Sequence, residues 1–130
     1  MKDRRNISTG TPWEKVHGYS RAVRVGNLVY VAGTTASDEQ GNVIGVGNVY
    51  TQTAYALQKI AKALHEAGAS LEDVVRTRIF VTDISRWQEV AQAHAEYFGA
   101  IRPVSTLVQV SQLVDPAHLV EIEVDAVISD

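Results

Sequence analysis

Apolar and polar residues alternate on both sides of Gly26-Asn27 in "RAVRVGNLVYVAG", and a glycine-asparagine pair suits the positive φ values of a tight hairpin turn. The pattern predicts a β-hairpin. Beyond the polar stretch "SDEQGNVIGVGN", Ala54, Leu57, Ile60, Ala61 and Leu64 recur at helical spacing, and Gly68 stands where a C′ glycine ends a helix. A helix over residues 49–67 follows. Ser70 then caps a short turn, and "VVRTRIFVTD" reads as a β-branched strand with Val75, Thr77, Ile79 and Val81 on its apolar face. Trp87, Val90, Ala91, His94, Tyr97 and Phe98 mark a second amphipathic helix, with Ser85 and Gln88 at capping-box spacing and Gly99 beyond its end. "VSTLVQV" and "LVEIEVDAVI" close the chain as strands. The expected fold class is α/β (α+β), in the order β-β-α-β-α-β-β: one domain over residues 1–130, with a mixed sheet carrying both helices on one face.

Successive strand residues point opposite ways, so alternation also sorts what the other face carries. In the last strand Val120, Ile122, Val124, Ala126 and Ile128 turn to the helices, and Glu121, Glu123 and Asp125 turn away. Arg76, Arg78 and Phe80 turn away in the strand before the second helix. An acidic and a basic row are thus expected on one surface, joined by Phe80, Leu107, Leu119 and Val127. The charges by themselves fit a solvated face with weak ion pairs, but the apolar residues among them are unusual for a surface that meets only water, and a subunit interface would explain the mixture.

Composition narrows the function. With 130 residues, 45% of them hydrophobic and 21% charged, the chain lies in the ordinary globular range. A formal charge of -3 gives no long-range attraction for phosphate backbones, so no nucleic acid is expected as partner. The absence of cysteine excludes disulfides, thiolate nucleophiles and Cys-held metals, and fits a reducing compartment. "MKDRRNISTG" lacks the apolar core of a signal segment, and no apolar run approaches the roughly 18 residues of a membrane span. A cytoplasmic protein with no membrane partner is expected. His17, His65, His94 and His118 lack metal-ligand spacing, so no metal site is expected. "GVG" at residues 45–47 reads as a turn rather than a phosphate cradle, and no nucleophile elbow is present. His94, on the apolar stripe of the second helix, is either a packed histidine or a pocket residue.

"HGYSRAVRVGNLVYVAGTT", "AGASLEDVVRTRIFVTDI" and "RPVSTLVQV" followed by "VEIEVDAV" resemble the RidA/YjgF family of reactive-intermediate deaminases, from about residue 7 onward. The resemblance implies a chorismate-mutase-like fold, a homotrimer with its sheets turned inward, and small-molecule clefts at the subunit interfaces. It also implies hydrolysis of reactive enamines and imines to a 2-keto acid and ammonia, with no metal or organic cofactor. Carried onto this chain, the family's site tyrosine is Tyr19, its glycine is Gly33 and its glutamate is Glu121. Two positions depart. Ala32 stands for a hydroxyl residue before the glycine, and Ser105 stands for the arginine that grips the substrate carboxylate.

A guanidinium fork gives a carboxylate two charge-assisted bonds, and a serine gives one neutral bond. Charged contacts contribute about 1.5–3 kcal/mol and neutral ones about 0.5–1.5, so a 2-imino acid would bind tenfold or more weakly unless another residue supplies the clamp. Arg102 falls on the opposite face of a regular strand, which leaves Arg76 and Arg78 as the substitutes. Glu121 is the candidate for moving protons at an attacking water, its alternative being an interface ion pair with an arginine. Tyr19 either closes the cleft or packs the interface, and Ser105 either orients a smaller ligand or is a plain strand residue. The expected function is hydrolysis of imines or enamines of altered range, the alternative a non-catalytic metabolite-binding relative.

Overall fold

The computed structural model describes residues 3–129. Nine regular elements follow one another: β1 (Arg4–Ile7), α1 (Pro12–His17), β2 (Ala22–Val25), β3 (Leu28–Thr34), α2 (Val49–Glu66), β4 (Val74–Val81), α3 (Trp87–Phe98), β5 (Val104–Gln109) and β6 (Val120–Val127). The strands form one six-stranded sheet in the order β1-β2-β3-β6-β4-β5. It is mixed: β4 and β5 run parallel, and every other neighbouring pair is antiparallel. From β3 to β4 and from β4 to β5 the chain moves the same way across the sheet. Right-handed crossovers therefore place α2 and α3 on one face, as the alternation required.

The β2–β3 hairpin closes on Gly26 and Asn27, with Gly26 at φ 58° and Val25 paired to Leu28. Asn48 caps α2 by accepting from the Thr51 amide, and Gly68, at φ 86°, follows its last turn. Leu57, Ile60, Leu64, Phe98, Val120, Ile122 and Val124 are shut from solvent between the helices and the sheet.

Four expectations need correction. First, Val75 is 46% exposed and Val74 takes its place in the core, because a register shift between Val74 and Arg76 inserts one extra residue opposite β6. Second, Leu107 and Leu119 pack on the core side, since the parallel register sets Leu107 beside Ile79 and Val108 beside Phe80. Third, Ser85 forms no capping box with Gln88. It lies in the 3-10 turn Ile84–Arg86, where its amide and hydroxyl both donate to the Asp83 carboxylate, and Trp87 at the helix start is 49% exposed. Fourth, β1 and α1 precede the hairpin. Pro12 at the first helical position and Gly18 at φ 83° past the last were the marks of that helix.

That N-terminal piece is fastened by Glu14, which is buried. Its carboxylate accepts from the Ser8 hydroxyl at 2.7 Å, from the Thr11 hydroxyl, and from both hydroxyl and amide of Thr9. Burial pushes the Glu14 pKa up, but the donated bonds together outweigh it and hold it below the ordinary 4.5. A lowered folded-state pKa means stabilisation present at neutral pH and lost as pH falls through that lowered value. Glu14→Gln is therefore expected to cost thermal stability at pH 7 and to cost progressively less in acid. A destabilisation independent of pH would contradict this. The Tyr19 amide donates to the Glu14 carbonyl at 2.9 Å, so the same anchor positions Tyr19.

Candidate functional site

Alternation on β6 turns Glu121, Glu123 and Asp125 to the open face, and the antiparallel register sets them opposite Phe80, Arg78 and Arg76 in turn. The two charged rows meet as expected. Arg78 lies 3.5 Å from Glu123 and 3.4 Å from Asp125, and Arg76 lies 3.8 Å from Asp125. Exposed Tyr30, Leu28, Val127 and Val108 share or border this surface.

Glu121 belongs to a different group. The β3–β6 register slips between Val31 and Thr34, and Gly33 falls in the slip. A Cβ at Gly33 would overlap the Glu121 carboxylate, so the missing side chain is what lets the carboxylate lie against the strand. Arg21 reaches over the same irregularity. Its Nη1 donates to the Gly33 carbonyl at 3.0 Å and to the Thr34 hydroxyl at 2.9 Å, and its Nη2 donates to the Tyr19 hydroxyl at 3.3 Å. From α2, Lys59 Nζ donates to the Thr35 carbonyl at 2.7 Å. Burial raises the Glu121 pKa, Arg21 opposes that rise and Glu123 adds to it, with a net rise. Burial and the Arg21 charge bring Lys59 down to about 8, against a smaller opposite pull from Asp38.

Ser105 and His94 lie across the sheet. The parallel register pairs Ser105 with Thr77, which faces the helices. Thr77 Oγ1 donates to Ser105 Oγ at 2.8 Å and lies 3.0 Å from His94 Nε2. The His94 ring packs on Phe98 at a centroid distance of 4.8 Å, and burial lowers its pKa. The fold thus brings Tyr19, Gly33 and Glu121 together and sets Ser105 with His94 elsewhere in the same chain. Arg76 and Arg78 do not share the face of Ser105, because they flank Thr77 in an alternating strand. Nor do they pair with Glu121, whose cationic neighbour is Arg21.

Arg21 and Lys59 escaped the sequence reading. Arg21 passes for the first residue of a hairpin, yet it is among the buried residues. Lys59 was visible in principle: Gln52, Ala56 and Ala63 are buried on α2, and residue 59 completes their helical spacing. A lysine on a buried stripe marks a site or a strained core. A separate pair, Ser37 Oγ and His118 Nε2 at 2.7 Å, closes the loop after β3 against the segment before β6.

A family model described as endoribonuclease L-PSP matches residues 10–128. The chain belongs to the YjgF/RidA family. Its fold agrees with a crystal structure of Rv2704 from Mycobacterium tuberculosis, described as a member of the YjgF/YER057c/UK114 family, at 52% identity and a TM-score of 0.88, covering 97% of this chain and 100% of that one. The 3-aminoacrylate deaminase RutC of Acinetobacter baylyi is 40% identical over 116 residues, 89% of this chain and 90% of its own length. The uncharacterized protein SCO2049 of Streptomyces coelicolor is 40% identical over 123 residues, 94% of this chain and 90% of its own. As a family member the chain has the mixed α+β, chorismate-mutase-like fold that its motifs implied. Among the described residues no helix is long and apolar enough to cross a membrane.

Proposed function

We propose that the chain hydrolyses reactive imines or enamines to a carbonyl product and ammonia, in clefts completed between the subunits of a homotrimer. The observation that carries this reading is Glu121: a half-buried carboxylate seated against Gly33, with its pKa raised toward the working pH. Such a group takes a proton from a water as its oxygen adds to the imine carbon. It returns that proton to the nitrogen, giving a carbinolamine, and then carries the carbinolamine hydroxyl proton to the same nitrogen, so that the C–N bond breaks, ammonia leaves and the carbonyl forms. The deaminase relative from Acinetobacter baylyi supports the reaction class. A substrate of the size of a small enamine fits a cleft edged by Tyr19 and Gly33 better than RNA fits the open sheet face, where Arg76 and Arg78 are already matched by Glu123 and Asp125.

Ammonia release from a panel of enzymatically generated imines, with and without a free carboxylate, tests the reading. Release above the uncatalysed rate supports it. No release from any member overturns it in favour of a metabolite-binding relative, the alternative that Ser105 favours.

Assembly is tested separately. Exposed Tyr30, Leu28, Val108 and Val127 on an otherwise ion-paired face suit burial against further copies of the chain. Light scattering at micromolar concentration is expected to give three times the 14.2 kDa chain mass, and a monomer mass would remove the shared cleft.

A further inference from the structure

Arg21 is 7% exposed, and among the described residues no carboxylate comes within ion-pairing distance of it. Buried charges are ordinarily paired, because removing an ion from water costs several kcal/mol that neutral partners do not fully return. The partners of Arg21 are a carbonyl and two hydroxyls. They occupy three of its five N–H donors and leave Nε–H and one Nη2–H. Every fully buried side-chain nitrogen and oxygen among the described residues has a partner; Nε has none among the Arg21 bonds, so it keeps some contact with solvent. A second cation stands nearby, Lys59, whose hydrogen-bond partner is likewise a neutral carbonyl. Two cations gathered around one strand irregularity, with Glu121 as the neighbouring anion, leave a positive site with donors unfilled.

We infer that Arg21, supported by Lys59, holds the carboxylate of a small 2-oxo or 2-imino acid beside Gly33, so that the cation absent at Ser105 is supplied by the residue that leads into β2. The two free donors of Arg21 match the two oxygens of a carboxylate. The remainder of the ligand then lies toward Tyr19 and Glu121. This inference rests on the hydrolase reading for the identity of the ligand, though not for the presence of the anion site. It restores substrates that loss of the arginine at position 105 would exclude, and it removes Arg76 and Arg78 as substitutes because their charges are spent on β6.

The test compares pyruvate with its uncharged isostere pyruvamide by calorimetry on the intact protein. Pyruvate is expected to bind about tenfold or more tighter, and Arg21→Gln to abolish the preference. Lys59→Gln is expected to reduce it. Should Arg21→Gln fail to fold, the arginine Nε resonance of the unmodified protein carries the test: it should shift with pyruvate and stay in place with pyruvamide. Equal affinity for the two ligands, an unshifted resonance, or an unchanged preference in a folded Arg21→Gln overturns the inference. Its failure is distinct from failure of the hydrolase reading. Turnover of uncharged imines without a pyruvate preference would leave the hydrolase standing and remove the anion site. A pyruvate preference without turnover of any imine would do the reverse.

Discussion

Glu121→Gln is expected to lower imine turnover by about 10²-fold or more while leaving the fold intact, the usual effect of losing a general acid–base group. Glutamine keeps the shape that lies against Gly33 and removes the basic oxygen. The pH profile makes the test specific. A base with a raised pKa gives kcat/KM a limb that climbs with pH around a midpoint above the ordinary 4.5, and that limb should vanish in the variant. Stability should move the other way. Because the folded-state pKa is raised, the stabilising contribution of Glu121 is full below its unfolded pKa and is lost as pH rises through the folded one. At pH 7 the uncharged glutamine should therefore be tolerated at least as well as the carboxylate. Full turnover in an intact assembly would remove Glu121 from the reaction, and a dissociated assembly would make it an interface anchor.

Phe98→Ala should be the costliest single truncation considered, at about 3–5 kcal/mol. Its ring is 1% exposed at the end of α3 and carries the His94 imidazole on one side. Its carbonyl accepts from the amides of Ile101 and Arg102 at 3.0 and 2.8 Å, fixing the turn that leads into β5. Arg102 completes that turn at φ 57°, an uncommon value for a residue with a side chain. Removing the ring opens a cavity and unseats the imidazole behind Thr77 and Ser105. Urea unfolding should show a lower midpoint at unchanged slope. A loss below about 1 kcal/mol would mean that α3 collapses to fill the space.

The elements that sequence could resolve were those with a local cause. The Gly26-Asn27 turn, the stripe of α2 and the inward row of β6 each depend on residues a few positions apart. Which side chains share a surface across different strands depends on register, and register is set by pairing between distant segments. That is why the meeting of Arg78 with Glu123 was legible once both rows were known, and why Ser105 was placed wrongly beside Arg76 and Arg78. The insertion at Val75 has no mark within its own strand, and the slip around Gly33 has only the glycine itself. Arg21 was hidden for the same reason: only the fold turns it over the end of β3 and away from water. Tyr19, Gly33 and Glu121 were found through family motifs rather than through alternation. Their gathering around Arg21 belongs to the structure.

The sheet places its two polar groups on supports of unequal rigidity. Glu121 rides on β6, gripped by β3 on one side and β4 on the other, whereas Ser105 rides on β5, an edge strand with β4 as its single neighbour. A replacement at position 105 thus disturbs one pairing and leaves the setting of the carboxylate untouched. If Glu121 handles the proton as proposed, changes on the β5 rim leave its setting in place, and the rim and the carboxylate are separately adjustable in one small molecule.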